Sequence, residues 1–139
     1  MSAGISLFTS YYGARRRLPD HAKWVSISLD GGRVAKFEGR VYRKLAPTPA
    51  ILHHWHEHHD IGNYKREFAK VLAKLDPHAV AAELGDGTVL MCYERAKRAH
   101  MAEERPRDEM PYERAQDFCH RHIVAEWFRA AGISCEEIA

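Results

Sequence analysis

Strong net charge and long apolar runs are both absent from this sequence. The 21 lysines and arginines are nearly balanced by 19 aspartates and glutamates, which gives a formal net charge of +2. So small an excess does not favour nucleic acid as a partner. No apolar run approaches the roughly 18 residues that a membrane-spanning helix needs, and residues 1–8 lack the basic start and long apolar core of a secretory signal. The sequence therefore predicts a cytoplasmic protein with no membrane partner.

Cysteine is also scarce, because the chain contains only Cys92, Cys119 and Cys135. An odd number of cysteines without a secretory signal does not favour a disulfide framework, and we expect reduced thiols. Neither Cys92 nor Cys119 belongs to a Cys-x-x-Cys pair. A zinc site built from these cysteines with His120 or His122 therefore has little support in the sequence.

What the sequence does contain is the profile of an ordinary globular domain, with 45% hydrophobic and 29% charged residues. A chain of 139 residues predicts a single domain. Strand-like segments alternate with helical patterns, which indicates an α/β domain with a mostly parallel central sheet flanked by helices. We predict strands at 5–11, 24–29, 88–93 and 133–138, and helices at 49–59, 64–75, 77–84 and 122–131.

Two features refine this outline. Thr48 and Asn63 are the predicted caps of the first two helices, because their side chains can accept a hydrogen bond from a free backbone amide. The segment 95–117 is rich in charge of both signs and contains two prolines, so we predict a charged excursion on the surface.

Cys92 and Glu94 lie near the end of the predicted strand 88–93 and share one face, because side chains alternate along a strand. Ligands of open α/β sheets bind at the carboxyl ends of strands, so this position favours a role in a crevice. The alternative is that Cys92 is a small core residue, since free cysteine is often fully buried.

Cys119, His120 and Arg121 immediately precede the predicted helix 122–131. Backbone amides and the helix dipole favour an anion at a helix start, and the same field favours a thiolate over a thiol. Arg121 adds a fork of donors suited to a phosphate or a carboxylate. The alternative is that His120 and Arg121 are ordinary surface residues.

Two other patterns are weaker indications of a functional site. The residues from Cys92 to Arg98 spell Cys-x5-Arg, as in the loop of cysteine phosphatases, but the loop has no glycine and Glu94 would repel a phosphate. The basic triplet Arg15–Arg17 lies in a predicted loop, where such triplets usually form a solvated surface.

Five histidines crowd into residues 53–59, which suggests a metal site. The residue three positions after Glu57 is Asp60, however, so the His-Glu-x-x-His zinc motif is not formed. His54 and His58 are four residues apart on one helix face, but two ligands alone do not make a metal site. We predict no metal site and expect these histidines to occupy the exposed face and end of a helix.

Several short motifs occur together along the chain. They are Ser26-Ile27-Ser28, Leu45-Ala46-Pro47, Tyr64, Leu90-Met91-Cys92-Tyr93-Glu94 and Phe118-Cys119-His120-Arg121-His122. This set resembles the domain of unknown function 488 family of small bacterial, archaeal and phage proteins. The resemblance covers nearly the whole chain, and it implies a compact, Rossmann-like α/β domain without a known reaction.

The resemblance also implies which positions characterise the site. These are Cys92, Glu94, Cys119, His120 and Arg121, and Thr9 and Ser10 resemble the opening motif of the family. Members usually join the two motifs by a few residues, whereas residues 95–117 lie between them here. The excursion is therefore the part expected to distinguish this chain from the family it resembles.

We expect the site at the carboxyl ends of the strands 5–11 and 88–93, against the start of the helix 122–131. The leading hypothesis is an enzyme or sensor that acts on a small anionic, nucleotide-like ligand. The residues expected to carry out chemistry are Cys92, Glu94, Cys119 and His120, and those expected to bind the ligand are Arg121, Thr9, Ser10 and Tyr11.

The alternative hypothesis is a non-catalytic binding protein, such as a phage-encoded or host-encoded accessory protein. Its contact surface would be Arg15–Arg17 or the segment 95–117, and the paired motifs would be structural. The sequence identifies no cofactor and does not indicate an oligomeric state.

Overall fold

The computed structural model describes residues 4–12, 23–33, 35–93 and 120–138. Its centre is a five-stranded, all-parallel sheet with the order β3-β2-β4-β1-β5. The strands are β1 (Ser6–Tyr11), β2 (Lys23–Ser26), β3 (Arg40–Val41), β4 (Thr88–Cys92) and β5 (Ser134–Glu137). The helices are α1 (Pro49–His58), α2 (Ile61–Ala73), α3 (Pro77–Leu84) and α4 (Arg121–Ala130). The predicted α/β class with a parallel sheet is confirmed.

Strand β4 lies between β2 and β1, and all five of its residues are buried. An unbroken apolar run is what a strand covered on both faces requires. The register places Tyr11 beside Cys92 and Thr9 beside Glu137. The carboxyl ends of β1, β4 and β5 are therefore neighbours in the sheet.

The first and third helices begin where a side chain accepts a hydrogen bond from a free backbone amide. Thr48 Oγ1 accepts from the N–H of Ile51 at 3.2 Å, and Asp76 Oδ1 accepts from the N–H of His78 at 3.0 Å. Proline occupies the first helical position of both helices, where its missing N–H costs no hydrogen bond. The predicted cap Thr48 is confirmed.

The cap of α2 differs from the prediction. Asp60 Oδ1 accepts from the N–H of Asn63 at 3.0 Å, so Asp60 is the cap and the prediction of Asn63 is wrong. The reason is that Ile61 packs against the hydrophobic core. This contact starts the helix a turn before Tyr64, where the apolar spacing becomes visible in the sequence.

The core of the described residues forms two clusters, one on each face of the sheet. Side chains from α1, α2, α3 and α4 pack on the face that carries Leu7, Val25, Leu90 and Cys92. A smaller cluster on the opposite face contains Tyr12, Phe37, Val89 and Met91. Cys92 is therefore directed toward the helices rather than toward the opposite face.

The turn after β2 is built by glycine. Asp30 Oδ1 accepts from the N–H of Gly32 at 2.7 Å, and the φ angles of Gly31 and Gly32 are 71° and 83°. A Cβ atom on Gly32 would lie 2.6 Å from the Cβ of Phe37, so no larger residue fits without displacing the backbone. Strand β2 ends at Ser26, earlier than the predicted end at residue 29.

Other predicted bounds differ little, since α4 begins at Arg121 rather than at His122. The excursion 95–117 and the triplet Arg15–Arg17 lie outside the described residues. No helix in the described part of the chain is long and apolar enough to cross a membrane.

Candidate functional site

The candidate site lies where the carboxyl ends of β1 and β4 meet the start of α4. After β1 the chain continues to β2, on the β4 side of β1, whereas after β4 it continues to β5, on the other side of β1. Adjacent parallel strands whose connections leave in opposite directions mark the switch point at which open α/β sheets bind ligands. The location expected from the sequence thus coincides with a switch point of the described sheet, and its use as a ligand site stays a prediction.

Arg121 is the central residue of this region, and its side chain is 1% exposed. Its Nε donates to both carboxylate oxygens of Glu137 at 3.0 and 3.1 Å, and its Nη2 donates to Oε2 at 2.8 Å. Its Nη1 lies 3.2 Å from the carbonyl oxygen of Tyr93 and 3.4 Å from Sγ of Cys92. The guanidinium also lies 5.6 Å from the ring centre of Tyr11. Arg121 therefore joins α4 to β4 and β5.

Glu137 is a site residue that the sequence analysis missed. Thr9 Oγ1 donates to its Oε1 at 2.5 Å, and this hydrogen bond adds to those from Arg121. Partial burial acts to raise the pKa of Glu137. Hydrogen bonds from Arg121 and Thr9, together with the charge of Arg121, outweigh that effect and hold the pKa below its usual value. Glu137 is therefore ionised at neutral pH, and it balances the buried charge of Arg121.

Thr9, Ser10 and Tyr11 lie close to this pair, as expected for the end of β1. Thr9 and Ser10 are fully buried. Ser10 Oγ donates to the carbonyl oxygen of Ile138 at 2.9 Å, and Thr9 donates to Glu137. Both hydroxyls therefore join β1 to the end of the chain, while Tyr11 is half-buried against Arg121. Their predicted role in ligand binding stays a prediction.

His120 precedes α4 and is 6% exposed. Its Nε2 lies 2.7 Å from the carbonyl oxygen of Ile27, and its ring packs edge-on against Phe68 with centres 5.4 Å apart. Burial lowers the pKa of His120 to about 4, although the hydrogen bond to Ile27 opposes the shift. The imidazole is therefore neutral at pH 7, with its Nε2–H donated to Ile27. This burial contradicts the alternative that His120 is an ordinary surface residue, and its expected role in chemistry stays a prediction.

Cys92 is 1% exposed and disulfide-bonded. Cys135 is a free thiol, and burial raises the pKa of Cys135 to about 12. The expectation of reduced thiols is thus wrong for Cys92 and holds for Cys135. The number of cysteines indicates only the compartment, whereas a disulfide depends on which sulfurs the fold brings together. Cys119 and Glu94 lie outside the described residues, so their roles stay predictions.

A second polar cluster lies on the opposite face, at the ends of β1, β2 and β4. The hydroxyl of Tyr12 lies 2.7 Å from Oγ of Ser26 and donates to Oγ of Ser28 at 2.7 Å. The hydroxyl of Tyr93 donates to Asp30. Sequence periodicity does not predict these contacts, which join residues distant in the chain. They give the Ser26-Ile27-Ser28 motif a structural role.

The histidines of α1 occupy the positions expected for a surface helix. His53, His56 and His58 are exposed, whereas His54 is half-buried with its Nδ1 3.0 Å from the side-chain Nδ2 of Asn63. The rings of His54 and His58 are 4.5 Å apart. Among the described residues, no group of three or more His, Cys, Asp or Glu side chains is arranged to hold a metal ion.

Comparison with models of protein families, with curated proteins and with solved structures finds no match to this chain. The resemblance to the domain of unknown function 488 family and the Rossmann-like topology therefore stay predictions.

Proposed function

We propose that this protein is a thiol–disulfide sensor or enzyme in which Cys92 is the redox-active residue. The observation that supports the proposal is the 3.4 Å contact between Nη1 of Arg121 and Sγ of the disulfide-bonded Cys92. A guanidinium beside a sulfur stabilises the thiolate relative to the thiol. Because a stabilised thiolate leaves faster in thiol–disulfide exchange, Arg121 favours cleavage of this bond.

Cys92 itself is buried. The sulfur bonded to it would therefore be the one that an external thiol attacks.

The proposed reaction uses a small-molecule thiol such as glutathione as the reductant. Its thiolate attacks the partner sulfur, the disulfide breaks, and Cys92 leaves as a thiolate beside Arg121. A second glutathione thiolate attacks the mixed disulfide, releasing oxidised glutathione and the thiolate of the partner cysteine. Two electrons pass from two glutathione molecules to the protein disulfide, and the reverse sequence restores it.

The cytoplasmic location predicted from the sequence agrees with this proposal. Glutathione and thioredoxin keep thiols reduced in the cytoplasm, where disulfides of ordinary organisms are usually transient and either catalytic or redox-sensing. A disulfide at Cys92 of a cytoplasmic protein would therefore be one that forms and breaks during function.

The small anionic ligand predicted from the sequence has less support than the redox function. The charge of Arg121 is balanced by Glu137, and the side chain is almost inaccessible to solvent. An incoming anion would have to displace Glu137 from the buried guanidinium of Arg121, which costs several kcal/mol. We therefore propose that the side chain of Arg121 interacts with Cys92 and Glu137 rather than with an external ligand.

A non-catalytic binding protein is the second candidate, and it too is supported by a particular observation. Thr9, Ser10, His120 and Arg121 are all buried and hydrogen-bonded within the protein. The same contacts are expected if the motifs serve only to stabilise the fold. In that case Cys92 would not exchange with glutathione.

Equilibration with glutathione redox buffers, followed by alkylation and peptide mapping, tests the proposal. We expect the Cys92 peptide to be disulfide-linked in oxidising buffer and alkylated in reducing buffer, with full recovery on reoxidation. Cys135→Ser is the matched control and should respond as the natural protein does, whereas Cys92→Ser should lose the response. A Cys92 sulfur that keeps one state across all buffers would contradict the redox function and favour the binding protein.

A further inference from the structure

We propose that Glu137 sets the redox equilibrium of Cys92 by orienting Arg121 and by neutralising part of its charge. This inference rests on the thiol–disulfide function proposed above. Glu137 is a positioning residue, because its carboxylate acts on the sulfur through Arg121.

The orientation follows from the shape of the guanidinium. Nε and Nη2 form one edge of the planar group, and both donate to Glu137 at 2.8 to 3.1 Å. Fixing that edge fixes the direction of Nη1, which lies on the other side and contacts Cys92 and the Tyr93 carbonyl. Glu137 therefore determines which donor of Arg121 faces the sulfur.

Glu137 is itself held in place from a second strand. Thr9 is its register partner on β1, and the Thr9 hydroxyl donates to Oε1 at 2.5 Å. The carboxylate therefore has hydrogen bonds on both sides, from the sheet and from α4. Its bonds with Arg121 and Thr9 keep it ionised at neutral pH.

The charge of Glu137 opposes the effect of Arg121 on the sulfur. In the disulfide form, Arg121 has one carboxylate partner, and the sulfur carries no charge. After reduction, the same guanidinium would be shared by the Glu137 carboxylate and the Cys92 thiolate, whose negative charges repel each other. Glu137 therefore makes the reduced form less favourable than a lone arginine would.

The test is to measure the equilibrium constant between oxidised and reduced protein in glutathione buffers for the Glu137→Gln variant. Glutamine keeps a hydrogen-bond acceptor for Arg121 but removes the charge. We expect the equilibrium constant to shift about tenfold toward the reduced form, which corresponds to about 30 mV for a two-electron couple. Glu137→Asp retains the charge and should lie closer to the natural protein.

Glu136→Gln is the matched control, because Glu136 is the exposed neighbour and has the opposite parity on β5. It removes one negative charge near the same strand, and we expect less than a twofold change in the equilibrium constant. Glu137→Asn provides a second neutral variant that keeps an acceptor oxygen for Arg121 if Glu137→Gln does not fold, and Glu137→Asp is its charged counterpart. Loss of stability that is common to both redox forms cancels from the equilibrium constant, so a purely structural role would leave it unchanged.

The outcomes separate this inference from the proposed function. If the natural protein shows no exchange with glutathione, the redox function itself is contradicted. If the natural protein exchanges but the neutral variants keep its equilibrium constant, or shift it toward the disulfide, only the role of Glu137 is overturned.

Discussion

At the scale of single residues, His120 illustrates how burial decides the charge of a side chain. The ring is buried at the start of α4, and its Nε2–H donates a hydrogen bond to the carbonyl oxygen of Ile27. Burial lowers the pKa of His120 to about 4, below the value of about 6.5 for an unfolded histidine. The folded protein therefore stabilises the neutral imidazole and resists its protonation.

This shift predicts a loss of stability in acid. The contribution of neutral His120 is fully present above pH 6.5 and is lost as the pH falls toward 4, because the unfolded chain binds the proton first. We expect the free energy of unfolding to fall by about 3 kcal/mol over this range on account of His120 alone. Urea unfolding between pH 7 and pH 4 measures the change.

The matched variants for this measurement are His120→Gln and His56→Gln, since His56 is exposed on α1. His120→Gln should be less stable at pH 7 but should lose the part of the pH dependence that belongs to His120. His56→Gln should retain it. Equal pH dependence in His120→Gln and in the natural protein would rule out this assignment.

The residues of the candidate site were only partly predictable, and Glu137 explains why. Cys92, His120 and Arg121 stand out because they occur at a strand end and a helix start. Glu137 lies in an ordinary Cys-Glu-Glu sequence, and only the register that pairs Thr9 with Glu137 brings it to Arg121. Its parity with Cys135 on β5 was the available signal, because alternate residues share a strand face.

At the scale of elements, periodicity predicts interiors better than ends. The predicted strand 88–93 and helix 64–75 are both present, and their interiors hold the unbroken buried run of β4 and the buried face of Tyr64, Phe68 and Leu72 in α2. The start of α2 was placed too late, because Ile61 contacts the core before the apolar spacing becomes regular. The end of a helix or strand depends on a single hydrogen bond or contact, whereas apolar periodicity is a pattern over many residues.

The cap of α2 can be tested by two substitutions at one position. Asp60→Ala removes the acceptor for the Asn63 N–H, and we expect it to lower the free energy of unfolding by about 1 kcal/mol. Asp60→Asn retains a side-chain oxygen and should cost only a few tenths of a kcal/mol. Thermal and urea unfolding would compare the three proteins. Equal stability of the alanine and asparagine variants would exclude a capping role for Asp60.

At the scale of the whole molecule, the pair of Arg121 and Glu137 connects elements that are distant in the sequence. Arg121 belongs to α4 and contacts β4 and β5, and Glu137 is hydrogen-bonded to Thr9 on β1. The two partners differ in exposure, since the side chain of Arg121 is 1% exposed and that of Glu137 is 36% exposed. A buried charge without its partner costs far more than one that water can reach.

This asymmetry predicts the order of stability in a double-mutant cycle. Glu137→Leu leaves the buried guanidinium without its carboxylate and should cost about 3 to 5 kcal/mol. Arg121→Met should cost less, because water can solvate the remaining carboxylate. The double variant should recover most of the loss caused by Glu137→Leu, since neither charge remains. Urea unfolding under fixed oxidising conditions gives all four values. If Arg121→Met proves the more damaging single change, the side chain of Arg121 stabilises the fold chiefly by packing and not through its charge.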